Sequence, residues 1–253
     1  MVSEIKMKQI IAIGSGGMDG KNPSIELYIL AQAKKPNPKI LFLATPSGDD
    51  GGYIKYFMEY FGRFPCEPSY LSLFSPPNED LEKLVLSNDI VFVSGGHSRN
   101  ALVLWQSWKM DAILRKAYDA GVILSGGSAG SVVWFDECIT DSVPGKLSVM
   151  PCLGILPYSN CPHYSSNHRQ EIYAKEMLNN NIKPGYAIDD NAALHFIDGN
   201  PVRSVSINSQ SKSYHCYQDN DWCFIQDEIE TRFLNKKAME ELVWSSTVFS
   251  KSV

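Results

Sequence analysis

No stretch of this chain holds the roughly 18–20 consecutive apolar residues that a membrane-spanning helix needs. The segment from Met1 to Gln9 is of mixed polarity and lacks the apolar core of a signal peptide. A cytoplasmic protein without a membrane partner is therefore expected. Basic residues are also too few to favour nucleic acid. Lys and Arg number 23 against 28 Asp and Glu, a net charge of −5, whereas nucleic-acid binders usually present a basic surface. The six cysteines (Cys66, Cys138, Cys152, Cys161, Cys216, Cys223) include no C-x-x-C pair. In a cytosolic chain that spread reads as free thiols rather than disulfides or a zinc site, so no metal and no cofactor are expected. Internal repeats, low-complexity runs and linkers are missing too, which leaves one domain over residues 1–253 as the expectation.

The 253 residues, 44% hydrophobic and 20% charged, are enough for a sizeable core. Their first half alternates two patterns. Apolar runs at 9–15, 39–46 and 89–96 read as buried strands, and 68–74 and 122–125 as two further strands. Between them, 24–34, 53–63, 78–87 and 100–120 read as helices. The alternation predicts an α/β fold with a doubly wound, mostly parallel, flavodoxin-like sheet, whose ligand site lies beyond the carboxyl ends of the strands. Several strands end in small residues that should gather there: Gly14-Ser15-Gly16-Gly17, Ser47-Gly48, Gly95-Gly96 and Gly126-Gly127-Ser128. Beyond Trp134 the pattern loosens. Short strands and turns are expected at 150–158 and 159–164, a helix at 167–179, strands at 185–196 and 202–207, a strand or hairpin at 213–224, and helical character at 231–243.

Gly126-Gly127-Ser128-Ala129-Gly130 fits G-x-S-x-G between a strand and an apolar, helix-like run, the setting of a nucleophile elbow. Small neighbours let the serine occupy a strained turn, and the Ala129 N–H then faces any oxyanion formed beside it. The bland alternative is a plain strand–helix turn. A serine nucleophile needs a base. His163, after a short apolar run and Pro162, is positioned to return to the same edge. His97 follows Gly95-Gly96 and is a candidate pocket residue, His168 belongs on an exposed helix, and His195 and His215 read as structural strand residues. Asp141 and the Asp189-Asp190 pair are the candidate orienting carboxylates. Asp136 and Glu137 belong on the helix after the serine, pointing elsewhere. Arg169 is either a solvated helix charge or a bidentate partner for a substrate carboxylate.

The blocks DIVFVSGGHSRN, GVILSGGSAGSVVWF, ITDS, CPHY and GYAIDDNAALHF, in this order between Ile10 and Gly199, together resemble the peptidase S51 family, which includes peptidase E (aspartyl dipeptidases) and cyanophycinase-like enzymes. The resemblance implies a Ser-His-acid hydrolase of short peptides on a three-layer sandwich like that of class I glutamine amidotransferases. Ser128 matches the family nucleophile and His163 the base. Asp141, in Thr140-Asp141-Ser142, best matches the peptidase E acid. Asp190 matches an acidic residue of the cyanophycinase-like branch, there to orient the histidine or to bind a substrate amine. The Gly95-Gly96 loop matches one whose N–H, from Gly96 here, completes an oxyanion hole with Ala129. His97-Ser98 departs from the family's usual Asn or Thr, which bears on the expected Asp-Xaa preference.

Three rival readings stand beside this one. An α/β-hydrolase would use His215 as base with Asp198 as acid. A glutamine-amidotransferase-like protein would carry cysteine at the elbow. An inactive small-molecule binding protein would share the fold. A monomer or homodimer is expected.

Overall fold

The computed structural model describes residues 7–16, 18, 21–75 and 78–248. Gly17 of the first glycine run and the segment 1–6 lie outside them. The first half alternates as its apolar runs require: β1 (Gln9–Ile13), α1 (Ser24–Gln32), β2 (Lys39–Leu43), α2 (Gly51–Phe61), β3 (Glu67–Leu71), α3 (Leu81–Leu86), β4 (Ile90–Val93), α4 (Ser98–Trp108), α5 (Met110–Asp119), β5 (Ile123–Gly127) and α6 (Ala129–Val132). The second half adds β6 (Phe135–Thr140), β7 (Ser148–Pro151), β8 (Leu156–Cys161), α7 (Asn167–Leu178), β9 (Gly185–Ile188), β10 (Ala192–Ile197), β11 (Asn200–Ser206), β12 (Ser213–Gln218), β13 (Phe224–Ile229), β14 (Thr231–Phe233) and α8 (Lys236–Val248).

The main sheet has the order β14-β11-β10-β1-β5-β4-β2-β3. Its half from β1 to β3 is parallel throughout. The order β3-β2-β4-β5-β1 is the flavodoxin-like winding with the chain's first strand moved to the far side. β10 joins β1 antiparallel. A second sheet, β13-β12-β9-β8-β6-β7, packs over one face. The side chains of β1 alternate between two cores. Ile10 and Ala12 enter the core shared with Trp105, Trp134 and the second sheet. Ile11 and Ile13 enter the core beneath α1, α2 and α8, with Phe42, Phe57 and Phe61. A third core lies between the second sheet and α7, around Cys161, Tyr164 and Tyr173. The parallel half of the main sheet is what the alternation predicts, and the layered α/β arrangement is the one that the family resemblance implies. The six cysteines are free thiols, Cys138 and Cys152 with their sulfurs 3.5 Å apart. No helix among the described residues is long and apolar enough to cross a membrane.

Four expected elements differ. The helix expected over 100–120 is two helices, broken at Lys109, which has φ 57°. Trp105 and Met110 are both buried, yet five residues place them about 140° apart on a continuous helix. The left-handed residue resets the register and turns Met110 inward. The strand expected over 185–196 is two strands in different sheets, β9 and β10, parted at Asp189-Asp190-Asn191. Residues 231–233 form β14 before helix α8 begins. The helix after Ser128 is a single turn, so Asp136 and Glu137 fall on β6, where Lys183 engages both.

Candidate active site

Ser128 stands between β5 and α6 with φ 55° and ψ −112°. A non-glycine residue held in so sparse a region costs of order 1–3 kcal/mol and persists only where its surroundings impose it. The imposing contacts are backbone ones. The Ser128 N–H donates to Ile13 O at 3.1 Å, and its carbonyl accepts from Ser131 and Val132 at 3.0 and 3.1 Å. The flanking glycines are demanded by β4, because a Cβ on either Gly126 or Gly130 would run into the Val93 carbonyl oxygen. Small neighbours therefore lift the hydroxyl clear of the sheet.

The second sheet brings up the partners. β8 and β9 are adjacent and parallel, with Cys161 opposite Ala187, so their carboxyl ends lie together. His163 follows β8 through Pro162 and also has positive φ, 54°. Asp190 follows β9. His163 Nδ1 lies 2.8 Å from Asp190 Oδ1, and His163 Nε2 lies 2.8 Å from Ser128 Oγ. A carboxylate only accepts, so Nδ1 carries the proton and Nε2 is left to accept the Ser128 hydroxyl proton. The two side chains are 30% and 41% exposed, which leaves the trio open to a bound molecule and to water.

Asp190 is held from two sides. Its N–H donates to Ser165 Oγ at 3.1 Å, and the next residue, Asn191, donates its N–H to Ser15 O at 2.7 Å. The end of β1 passes so close that a Cβ on Gly14 would strike the Asp189 carbonyl. Asp189 itself turns away. Its carboxylate accepts the Lys212 N–H at 2.9 Å, and burial pushes its pKa up from the ordinary value.

Asp141 is not behind the histidine. It follows β6, which lies on the opposite side of β8 from β9. Its Oδ2 accepts from Arg169 Nη2 at 3.0 Å, with the Asp141 side chain 73% exposed. Strand order thus corrects the expectation of a Ser128-His163-Asp141 set. Arg169 differs from both of its expected roles. It is buried, bonded to Asp141 and to Ile139 O, rather than solvated or open to a ligand. His97 is exposed at the start of α4, and its N–H donates to Pro46 O.

Ser128 borders a cavity of about 200 Å³ whose walls include Gly16, Met18, Tyr53, Phe92 and Gly95. His97 and Arg169 are not among its described lining residues. Of the Gly95-Gly96 pair, Gly95 lies against Ser128, so that a Cβ on Gly95 would sit 3.9 Å from Ser128 Cβ. Gly96 packs on Pro46 with φ 132°. The Ala129 N–H, first in α6, has no acceptor within its own helix. Met18 and Tyr53 were not singled out from the sequence. Tyr53 sits in a helix rich in aromatics, none of which stands out from the others, and nothing local marks Met18. His168 is exposed on α7, and two further histidines are engaged elsewhere. His195 is buried between Tyr28 Oη at 2.8 Å and Gln9 Oε1 at 3.1 Å. Burial lowers its pKa to about 4. His215 packs against Tyr186 and Tyr217 on β12, and Asp198 caps the Lys8 N–H.

Residues 10–203 match the sequence profile of Peptidase family S51. A protein of Bacillus subtilis (strain 168) described as the uncharacterized peptidase YgaJ is 46% identical over 211 residues, which covers 82% of this chain and 91% of that protein. Two solved structures share the fold at 16% identity. A peptidase from an acI-B1 Actinobacterium has a TM-score of 0.65 over 90% of this chain and 96% of its own. A putative peptidase E protein from Listeria monocytogenes EGD-e has a TM-score of 0.61 over 80% of this chain and all of its own. With the profile spanning most of its length, and a relative nearly half identical, this chain belongs to peptidase family S51.

Proposed function

We propose that the protein is a serine peptidase that cleaves short peptides through Ser128, His163 and Asp190, by way of an acyl-enzyme. The observation that carries this reading is the pair of 2.8 Å contacts through which one imidazole joins a strained serine to a carboxylate. His163 Nε2 takes the hydroxyl proton as Ser128 Oγ bonds to the peptide carbonyl carbon. The carbonyl electron pair moves to oxygen, which the N–H groups of Ala129 and Gly96 hold. Collapse breaks the C–N bond, and His163 gives its proton to the departing amine. Water, deprotonated by His163, then attacks the ester, and Ser128 regains its proton as the acid leaves. Asp190 keeps the imidazole in the required tautomer and stabilises its cation. The net negative charge and free thiols suit action in the cytoplasm.

Ser128→Ala is expected to lower the hydrolysis of short peptides by roughly 10⁴-fold or more. If the wild type cleaves no short peptide and its serine takes no fluorophosphonate label, the reading fails.

A further inference from the structure

We propose that Asn160 is a positioning residue: its one buried amide joins the three segments that carry Ser128, His163 and Asp190, and so fixes where the serine stands against the imidazole. This deepens the serine-peptidase reading and rests on it. Asparagine is depleted in strands and mostly found at the surface. Asn160 lies inside β8 with no exposed surface. A buried amide is costly unless it is hydrogen-bonded, and both ends of this one are. Its nitrogen donates to the Tyr186 carbonyl on β9 at 3.1 Å, and its oxygen accepts from the Ser131 hydroxyl on α6 at 3.2 Å. A backbone carbonyl only accepts, so the amide NH2 must face Tyr186, and the amide oxygen is left for the hydroxyl.

The places of these partners along the chain give the two bonds their use. Ser131 comes three residues after Ser128, Asn160 three before His163, and Tyr186 four before Asp190. Ser131 is also tied to the nucleophile itself, since its N–H donates to Ser128 O at 3.0 Å. A continuous path of hydrogen bonds thus leads from the Ser128 backbone through Ser131 and Asn160 to β9. On the second sheet, Tyr186 stands opposite Asn160 in the parallel register of β8 and β9. The amide therefore braces the two strands whose ends carry the imidazole and its carboxylate, and anchors both to the turn that carries the serine.

The packing around these bonds is apolar. Val132, Trp134, Leu156 and Tyr186 share one core. Apolar attraction has no preferred direction, whereas a hydrogen bond weakens steeply once its length or angle leaves a narrow range. The apolar contacts hold the layers together, and the amide specifies their register beside the serine. The 2.8 Å contact between Ser128 Oγ and His163 Nε2 depends on that register.

The test compares three variants with the wild type by Tm, by steady-state hydrolysis of a short peptide and by the rate of fluorophosphonate labelling. Ser131→Ala cuts the path at one bond. Its kcat and labelling rate are expected to fall at least about tenfold with KM within about threefold, because only the alignment of serine and histidine is lost. Ser125→Ala is the control. The Ser125 hydroxyl is also buried and donates to Ile11 O at 2.8 Å, within the main sheet. This variant loses a comparable bond and should keep kcat within about threefold. Ser131→Ala combined with Asn160→Leu replaces both polar groups by apolar ones, which spares the fold an unpaired amide oxygen, and should retain the loss in kcat. An active wild type overturns the inference, and leaves the peptidase reading standing, if Ser131→Ala or the double variant keeps kcat and labelling rate within about threefold. So does a Ser125→Ala that loses as much as Ser131→Ala, since the loss then follows stability alone. Failure of both Ser131 variants to fold also overturns it, by making the amide a requirement of the fold itself. A wild type with neither hydrolysis nor label removes the peptidase reading, and the inference with it.

Discussion

Asp190 and Asp141 each follow a strand of the same sheet, on opposite sides of the strand that carries His163. Only Asp190 meets the imidazole. Asp190→Asn presents an amide where a carboxylate held the Nδ1 proton, so the imidazole is pushed toward the wrong tautomer. The expected loss in kcat is of order 10³–10⁴. Asp141→Asn removes a partner of the buried Arg169 without touching the histidine. It should leave kcat within about threefold and cost about 1 kcal/mol of stability, read by denaturant titration. A large kcat loss on Asp141 and none on Asp190 would reverse the assignment. The serine and the histidine were legible because each is announced locally, by G-x-S-x-G and by Pro162-His163. The carboxylate was not, because its identity depends on which strand lies beside β8. That is a fact of pairing between distant segments, and both aspartates match a family pattern.

The elements that support these residues make two predictions. The turn around Ser128 is tight because Val93 O lies where a side chain on Gly130 would begin. Gly130→Ala should therefore lower stability by about 3 kcal/mol or more, seen as a fall in Tm or loss of soluble protein. An unchanged Tm would mean that the close approach is not real. The second prediction concerns the β1–β10 pairing, which buries His195. An unfolded histidine titrates near 6.5, and in the fold burial lowers this to about 4. Acid thus protonates the unfolded chain first. The contribution of neutral His195 is fully present above about pH 6.5 and is lost as pH falls towards 4. His195→Gln, with no proton to gain, should show a smaller fall in Tm than the wild type between about pH 7 and about pH 4.5. Equal slopes would contradict the assignment. Most early strands were legible as unbroken apolar runs. The break at Lys109 was not, since it uses neither Gly nor Pro. The division of 185–196 was marked only by three consecutive polar residues in an otherwise apolar run.

At the scale of the molecule, the site is a meeting of two sheets. Ser128 comes from the centre of the main sheet, where β5 lies between β1 and β4. His163 and Asp190 come from adjacent strands of the second. The end of β1 ties them together, because Ser15 on the main sheet accepts the Asn191 N–H beside Asp190. Docking of the sheets therefore sets the 2.8 Å contact between Ser128 and His163, and with it the reactivity proposed for the serine. The most direct test is the second-order rate at which a small fluorophosphonate labels the protein, with the modified residue located by peptide mapping, in the wild type and in Asp190→Asn. The account predicts label on Ser128, formed at least about 100-fold more slowly in the variant. Label on another residue, or equal rates in the two proteins, would contradict it.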